Sequence, residues 1–247
     1  VRKSAIPLSI LLFVTLITVS GPFAADVLYA RYPALSPDGG TIAFTYQGDL
    51  WTVPSEGGRA TRLTVHEAED VRPQYSPDGK WLLFSSRRHN NYDVFIMPAE
   101  GGEVRQLTYH TADDFGSGWF PQGDSVLFTT SRDRYRDIYK VSVEGGMPIP
   151  LTGYRYEHEC NGRIIGDHHA LLLSQGSGMS RWWRRDLASG RDGNLYLQNR
   201  KPGEVTHRQL TSLPGHDVWP VYNNAAGAIY FVAPHNGWGQ IWKTDTS

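Results

Sequence analysis

A Ser-Pro-Asp-Gly tetrapeptide stands at residues 36–39 and again at 76–79, inside a unit that recurs about every 44 residues. The period is kept by a second turn, Glu-Gly-Gly, which begins at Glu56, Glu100 and Glu144, and by the pairs Leu63-Thr64, Leu107-Thr108 and Leu151-Thr152. A repeat of this length makes each unit one structural module and points away from a compact enzyme.

The second unit shows the grammar most plainly. Strand-like runs at 72–75, 81–85, 93–97 and 104–108 alternate with Ser-Pro-Asp-Gly, a polar hairpin at 87–91, and Glu-Gly-Gly. Pro77 presets φ for the first corner of a turn, Asp78 hydrogen-bonds its own turn backbone, and Gly79 takes the positive φ at the exit. Trp81, Leu82, Leu83 and Phe84 run without a polar break, the pattern of a strand covered on both faces. The fold class this predicts is all-β: a β-propeller of four-stranded antiparallel blades around a central channel.

Blades are expected near 31–65, 72–109, 118–152, 157–211 and 217–247, within a propeller spanning 26–247. The third replaces the first turn with Phe120-Pro121-Gln122-Gly123. The fourth is longer by about 15 residues, and the extra length falls in the hairpin 176–193. The fifth supplies strand candidates at 228–233 and 240–244 but no outermost strand, so five blades of an expected six are present, with a closed five-blade ring as the alternative.

The charge balance, 24 basic against 25 acidic residues, offers no basic stripe and excludes nucleic acid as a partner. Eight Trp, thirteen Tyr and frequent Gly suit a sheet-and-turn domain. Arg2 and Lys3 precede an apolar run at 6–19 followed by Ser20, Gly21, Ala24 and Ala25, so residues 1–25 read as a signal peptide, with an uncleaved anchor as the alternative, and the expected location is the bacterial periplasm. Cys160 is the single cysteine, so no intramolecular disulfide can form.

This grammar resembles the TolB-like propeller repeats of bacterial periplasmic proteins. The order of motifs is similar to the N-terminal six-bladed propeller of tricorn-type serine proteases. The residues that carry the likeness are Tyr32-Pro33-Ala34-Leu35 with Gly48-Asp49-Leu50-Trp51, then Arg181-Trp182-Trp183-Arg184-Arg185 leading to Asn194-Leu195-Tyr196-Leu197, and Ala228-Ile229-Tyr230-Phe231 followed by Asn236-Gly237-Trp238-Gly239-Gln240-Ile241-Trp242. The resemblance implies an exported serine peptidase acting on oligopeptides or unfolded polypeptide, in which this propeller gates or scaffolds substrate. It implies a second propeller, a PDZ-like domain and a catalytic core downstream in the same polypeptide, and a possible homo-oligomer of the full-length protein. No catalytic residue of that family maps onto this chain. Where basic residues would be sought after the second blade, Asp113 and Asp114 stand instead. The alternative is a TolB-like protein–protein interaction propeller of the envelope without peptidase activity.

One constellation recurs between units: His66, Glu67, Glu69 and Asp70; His110, Asp113 and Asp114; Glu157, His158 and Glu159; His216 and Asp217. Propeller symmetry predicts all four clusters at one mouth of the channel, either as an acidic rim that selects peptides by charge or as staples that hydrogen-bond loop backbone and tie blades together. Arg181, Trp182, Trp183, Arg184 and Arg185 on the long hairpin form a second candidate, a docking surface for a domain or peptide, or tryptophans tucked against the blade. His158, Cys160, His168 and His169 lack the spacing of a zinc site, and no cofactor is expected. Ser117 and Ser177 sit in Gly-rich turns that do not fit a nucleophile elbow.

Overall fold

The computed structural model describes residues 29–153, 157–166, 170–176, 193–201, 204–212, 216–223, 226–234 and 239–246. The leader, the hairpin Arg181 to Arg185, and His168, His169 and Ser177 lie outside the described residues.

Five antiparallel sheets follow one another along the chain, each an up-and-down meander. Blade one holds β1 (Arg31–Leu35), β2 (Thr41–Tyr46), β3 (Asp49–Pro54) and β4 (Thr61–Arg62). Blade two holds β5 (Asp70–Tyr75), β6 (Trp81–Ser86), β7 (Asp93–Pro98) and β8 (Arg105–Gln106). Blade three holds β9 (Asp114–Trp119), β10 (Ser125–Asp133), β11 (Tyr135–Ser142) and β12 (Ile149–Pro150). Blade four holds β13 (His158–Ile165), β14 (Ala170–Gly176), β15 (Asn194–Lys201) and β16 (Glu204–Gln209). Blade five shows β17 (Val218–Asn223), β18 (Ala228–Ala233) and β19 (Gln240–Asp245). The all-β propeller expected from the repeat is the fold observed.

The first turn works as its residues dictate. Gly79 N donates to Ser76 O at 2.9 Å and holds φ at 74°, while the Ser76 hydroxyl donates to Asp78 at 2.6 Å and accepts from Trp81 N at 2.9 Å. Blade one repeats every bond, with Ser36, Asp38, Gly39 (φ 76°) and Thr41. In blade three Gly123 N still donates to Phe120 O at 2.9 Å, so the turn survives without Ser or Asp.

The core lies between blades rather than within one. In β6, Leu82 and Phe84 pack with Ala43 and Leu50 of blade one, whereas Leu83 packs with Val126 and Phe128 of blade three. Alternate side chains of one strand thus serve two different interfaces, which is why the run has no polar break. Leu127 and Ile138 meet Leu171 and Leu173 of blade four, and Leu172 and Leu195 meet Ile229 and Phe231 of blade five.

Two boundaries differ from the sequence expectation. The innermost strands begin at Asp70 and Asp114, upstream of Arg72 and Gly118, because the ladder already pairs Asp70 with Ser86 and Asp114 with Thr130. The outermost strand of blade two is Arg105–Gln106 instead of the whole run 104–108, because Thr108 has left the ladder to bond elsewhere.

Candidate functional site

The first strands β1, β5, β9, β13 and β17 lie innermost and pack on one another in succession. Each is broken by one bulge, after which the ladder resumes. The bulged residue is left-handed at Tyr32 (φ 54°), Arg72 (φ 57°), Asn161 (φ 57°) and Trp219 (φ 54°), and Gly116 stands at the corresponding place in β9. Three rows of equivalent positions follow from this register. Asp70, Asp114, Glu159 and Asp217 precede the bulge, Tyr32, Arg72, Gly116, Asn161 and Trp219 occupy it, and Ala34, Gln74, Gly118, Arg163 and Val221 come after it.

All four acids of the first row are completely buried. Asp70 pairs with Arg88 at 3.0 Å and Asp114 with Arg132 at 2.7 Å, each within its own blade. Burial pushes the Asp114 carboxyl up, and Thr130 and Arg132 pull it back. Glu159 accepts from Gln198 at 3.3 Å. The same residues stitch blades through backbone: Asp70 N donates to Gly48 O at 2.7 Å, Asp114 N to Tyr92 O at 2.7 Å, and Asp217 N to Gly193 O at 2.8 Å.

The four histidines share one job. Each accepts a backbone N–H at Nδ1: His66 from Ala68 at 2.9 Å, His110 from Ala112 at 3.0 Å, His158 from Arg136 at 3.1 Å and His216 from Gly193 at 2.9 Å. An accepting Nδ1 requires the neutral ring with its proton on Nε2. For His158, burial and then the Arg136 charge push the imidazole pKa down, which favours that form. Asp113 accepts from Tyr92 N at 3.0 Å, and Glu69 bridges Arg31 at 2.5 Å and the Tyr92 hydroxyl at 2.8 Å. His66, His110 and Asp113 remain exposed, Glu69 and His158 are half-buried, and His216 is buried.

The Leu-Thr pairs, read from the sequence only as period markers, are also fasteners. The threonine hydroxyl accepts the N–H of the third strand in every four-stranded blade: Leu50 to Thr64 at 2.9 Å, Val94 to Thr108 at 3.0 Å, Ile138 to Thr152 at 2.9 Å and Leu195 to Thr211 at 2.9 Å. Thr64 and Thr108 then donate to Asp49 at 3.5 Å and Asp93 at 3.3 Å.

Residues that sequence reasoning missed lie in the second and third rows. The Arg72 guanidinium sits 4.5 Å from the centre of the Phe115 ring and 5.7 Å from that of Tyr32. Arg163 Nη1 donates to Gln74 Oε1 at 2.7 Å, a contact from blade four to blade two. It passes over blade three because the equivalent residue there is Gly118, where a Cβ would meet Arg163 Nη1 at 2.9 Å. Burial lowers both arginine pKa values, Arg163 to about 10, and the charge of Arg72 adds to the effect on Arg163. The available signal was the repeat period itself, since Gln74, Gly118 and Arg163 follow one another at 44 and 45 residues.

Five sheets of this topology define a β-propeller, and comparison with known proteins places it more narrowly. Residues 27–247 match the tricorn protease N-terminal beta propeller domain, and the chain belongs to that family. Tricorn protease homolog 1 of Streptomyces coelicolor is 29% identical over 220 residues, which cover 87% of this chain and 20% of that protein. The chain therefore spans about a fifth of the length of this relative. Among solved structures, the tricorn protease superposes with a TM-score of 0.71 at 19% identity, covering 88% of this chain and 21% of the other. A TolB structure from Agrobacterium tumefaciens gives 0.73 at 18% identity, over 88% and 77%.

Proposed function

We propose that this propeller is a non-catalytic module of an exported tricorn-like serine peptidase, gating or scaffolding peptide or unfolded polypeptide for a catalytic core in the same polypeptide. The observation that carries the reading is family membership across 27–247. The relative it matches is named a protease and is about five times longer, which leaves room for a catalytic core outside the aligned part. The stapled face supports a gating role, since buried ion pairs and backbone-bound histidines hold the channel mouth on rigid elements. Substrate would meet the exposed His66, His110 and Asp113 there, and the leader-like residues 1–25 support export to the periplasm.

The test is hydrolysis of fluorogenic peptides of graded length and of labelled unfolded casein by the full-length gene product, wild type against the triple variant His66→Ala, His110→Ala, Asp113→Ala. The reading expects kcat/KM to change for casein and long peptides while the shortest peptide is cleaved unchanged. A full-length product that cleaves none of them removes the peptidase role, and capture of folded envelope proteins by that product would replace it with an interaction propeller.

A further inference from the structure

We infer that the outer edge of β19 is the docking site for an extended strand that carries a leucine–threonine pair and is supplied by the same gene product. The ladder of blade five fixes the correspondence. Ile241 pairs with Val232 and Val232 with Val218, just as Val94 pairs with Ser85 and Ser85 with Val71, the residue before the bulge. Ile241 is therefore the counterpart of Leu50, Val94, Ile138 and Leu195, which hold the same register in their own blades. In those four blades both backbone groups of this residue turn toward the fourth strand. Its N–H donates to the threonine hydroxyl at 2.9 or 3.0 Å, and its carbonyl accepts the leucine N–H at 2.8 Å.

Backbone groups alternate in direction along an antiparallel strand, so the same pairing with β18 turns the N–H and carbonyl of Ile241 away from the sheet. No strand lies on that edge among the described residues. The side chain marks the same vacancy, since its four counterparts are 0% exposed and Ile241 is 78% exposed. An unpaired edge recruits an extended backbone, and here the repeat names what that backbone must carry. A leucine N–H meets the carbonyl, and a hydroxyl on the next residue meets the N–H, a lone pair that valine of the same shape lacks. The source follows from repetition, because each complete blade draws this strand from its own polypeptide. The matched region is 20% of Tricorn protease homolog 1, a length of polypeptide ample to supply one strand more. The inference concerns blade five alone and holds whether or not the gene product is a peptidase.

The experiment is hydrogen–deuterium exchange of residues 240–245, read by mass spectrometry in the 247-residue chain and in the full-length gene product. In the full-length product this segment is expected to exchange as slowly as residues 49–54 and 93–98, the third strands of complete blades. In the 247-residue chain it is expected to exchange faster, and to slow saturably when a synthetic peptide of residues 102–110, which carries Leu107-Thr108, is added. The Thr108→Val form of that peptide is expected to be needed at about tenfold higher concentration. Fast exchange in the full-length product overturns the inference even where added peptide slows it, since the strand then comes from another polypeptide. Equal effects of the two peptides, including none from either, overturn it as well. Should the 247-residue chain not fold alone, the comparison of segments within the full-length product decides.

Discussion

Replacing Thr108 with valine keeps the shape of a side chain that is 1% exposed and deletes one hydroxyl. That hydroxyl accepts from Val94 N at 3.0 Å and donates to Asp93 at 3.3 Å. The Val94 N–H is then orphaned in the core, at about 1–3 kcal/mol, and Asp93 loses one donor while keeping Gln106 at 3.1 Å, for about 1 kcal/mol more. The added methyl returns about 0.8 kcal/mol. The expected net loss is about 1–3 kcal/mol, or roughly 2–12 °C in Tm for a chain of this size. Urea unfolding followed by tryptophan fluorescence reads it, with an unchanged m-value as the check on two-state behaviour. The pH dependence adds a second signature. Burial, and next Asp114, push Asp93 up to about 6, and the Thr108 hydrogen bond opposes them. The deficit is therefore larger at pH 8, where Asp93 is charged and wants its donor, than at pH 5, where it is protonated. A variant within 0.5 kcal/mol of wild type at pH 8 refutes the fastener reading, and Thr108→Ser, which retains the hydroxyl, separates it from simple packing.

Further substitutions at three places test the same physics. Asp137 is raised to about 6 by burial and by Glu159 and Asp133, so the folded state binds more protons than the unfolded one between the ordinary carboxylate value and 6, and stability falls as pH rises through that window. Asp137→Asn flattens this slope and stabilises the protein at pH 8 but not at pH 4.5, as denaturation midpoints at the two pH values will read. Arg132→Met strands the buried Asp114 and costs about 3–5 kcal/mol at pH 7 by chemical denaturation, and adding Asp114→Asn recovers much of the loss. Gly162→Ala puts a Cβ 2.8 Å from Ile138 Cδ1 and 3.0 Å from its Cγ2 inside the core, for a loss of about 1–3 kcal/mol, whereas Gly153→Ala, with nothing within 4 Å, leaves the thermal midpoint unchanged.

The blade grammar was legible because its chemistry is local. The Ser76, Asp78 and Gly79 turn closes on its own atoms, and the apolar run at Trp81 records two interfaces at once. The strand starts at Asp70 and Asp114 were not legible, since the bulge that follows each breaks the alternation by which a strand is read. For the same reason the acids expected in connecting loops are the first residues of strands, at the bottom of ion pairs with Arg88 and Arg132. Arg163 and Gln74 lie 89 residues apart, and no local pattern joins them. Their meeting depends on a glycine at the matching position of the intervening blade.

A repeat lets structural need and other needs be told apart within one chain. Where the backbone alone must be satisfied, the blades agree, as with the threonine that follows each leucine and the glycine at each first turn. The bulge row behaves oppositely. Tyr32, Arg72, Asn161 and Trp219 adopt nearly one backbone conformation, φ 54–57°, in which glycine is the least strained residue and an ordinary side chain costs about 1–2 kcal/mol. Backbone geometry would favour glycine at all four places, yet tyrosine, arginine and tryptophan hold three of them, each large and each different. For Arg72 the strain is offset by the aromatic pair Tyr32 and Phe115 that its guanidinium reaches. Residue identity that the backbone geometry does not favour is thus concentrated in the bulge row of the innermost strands.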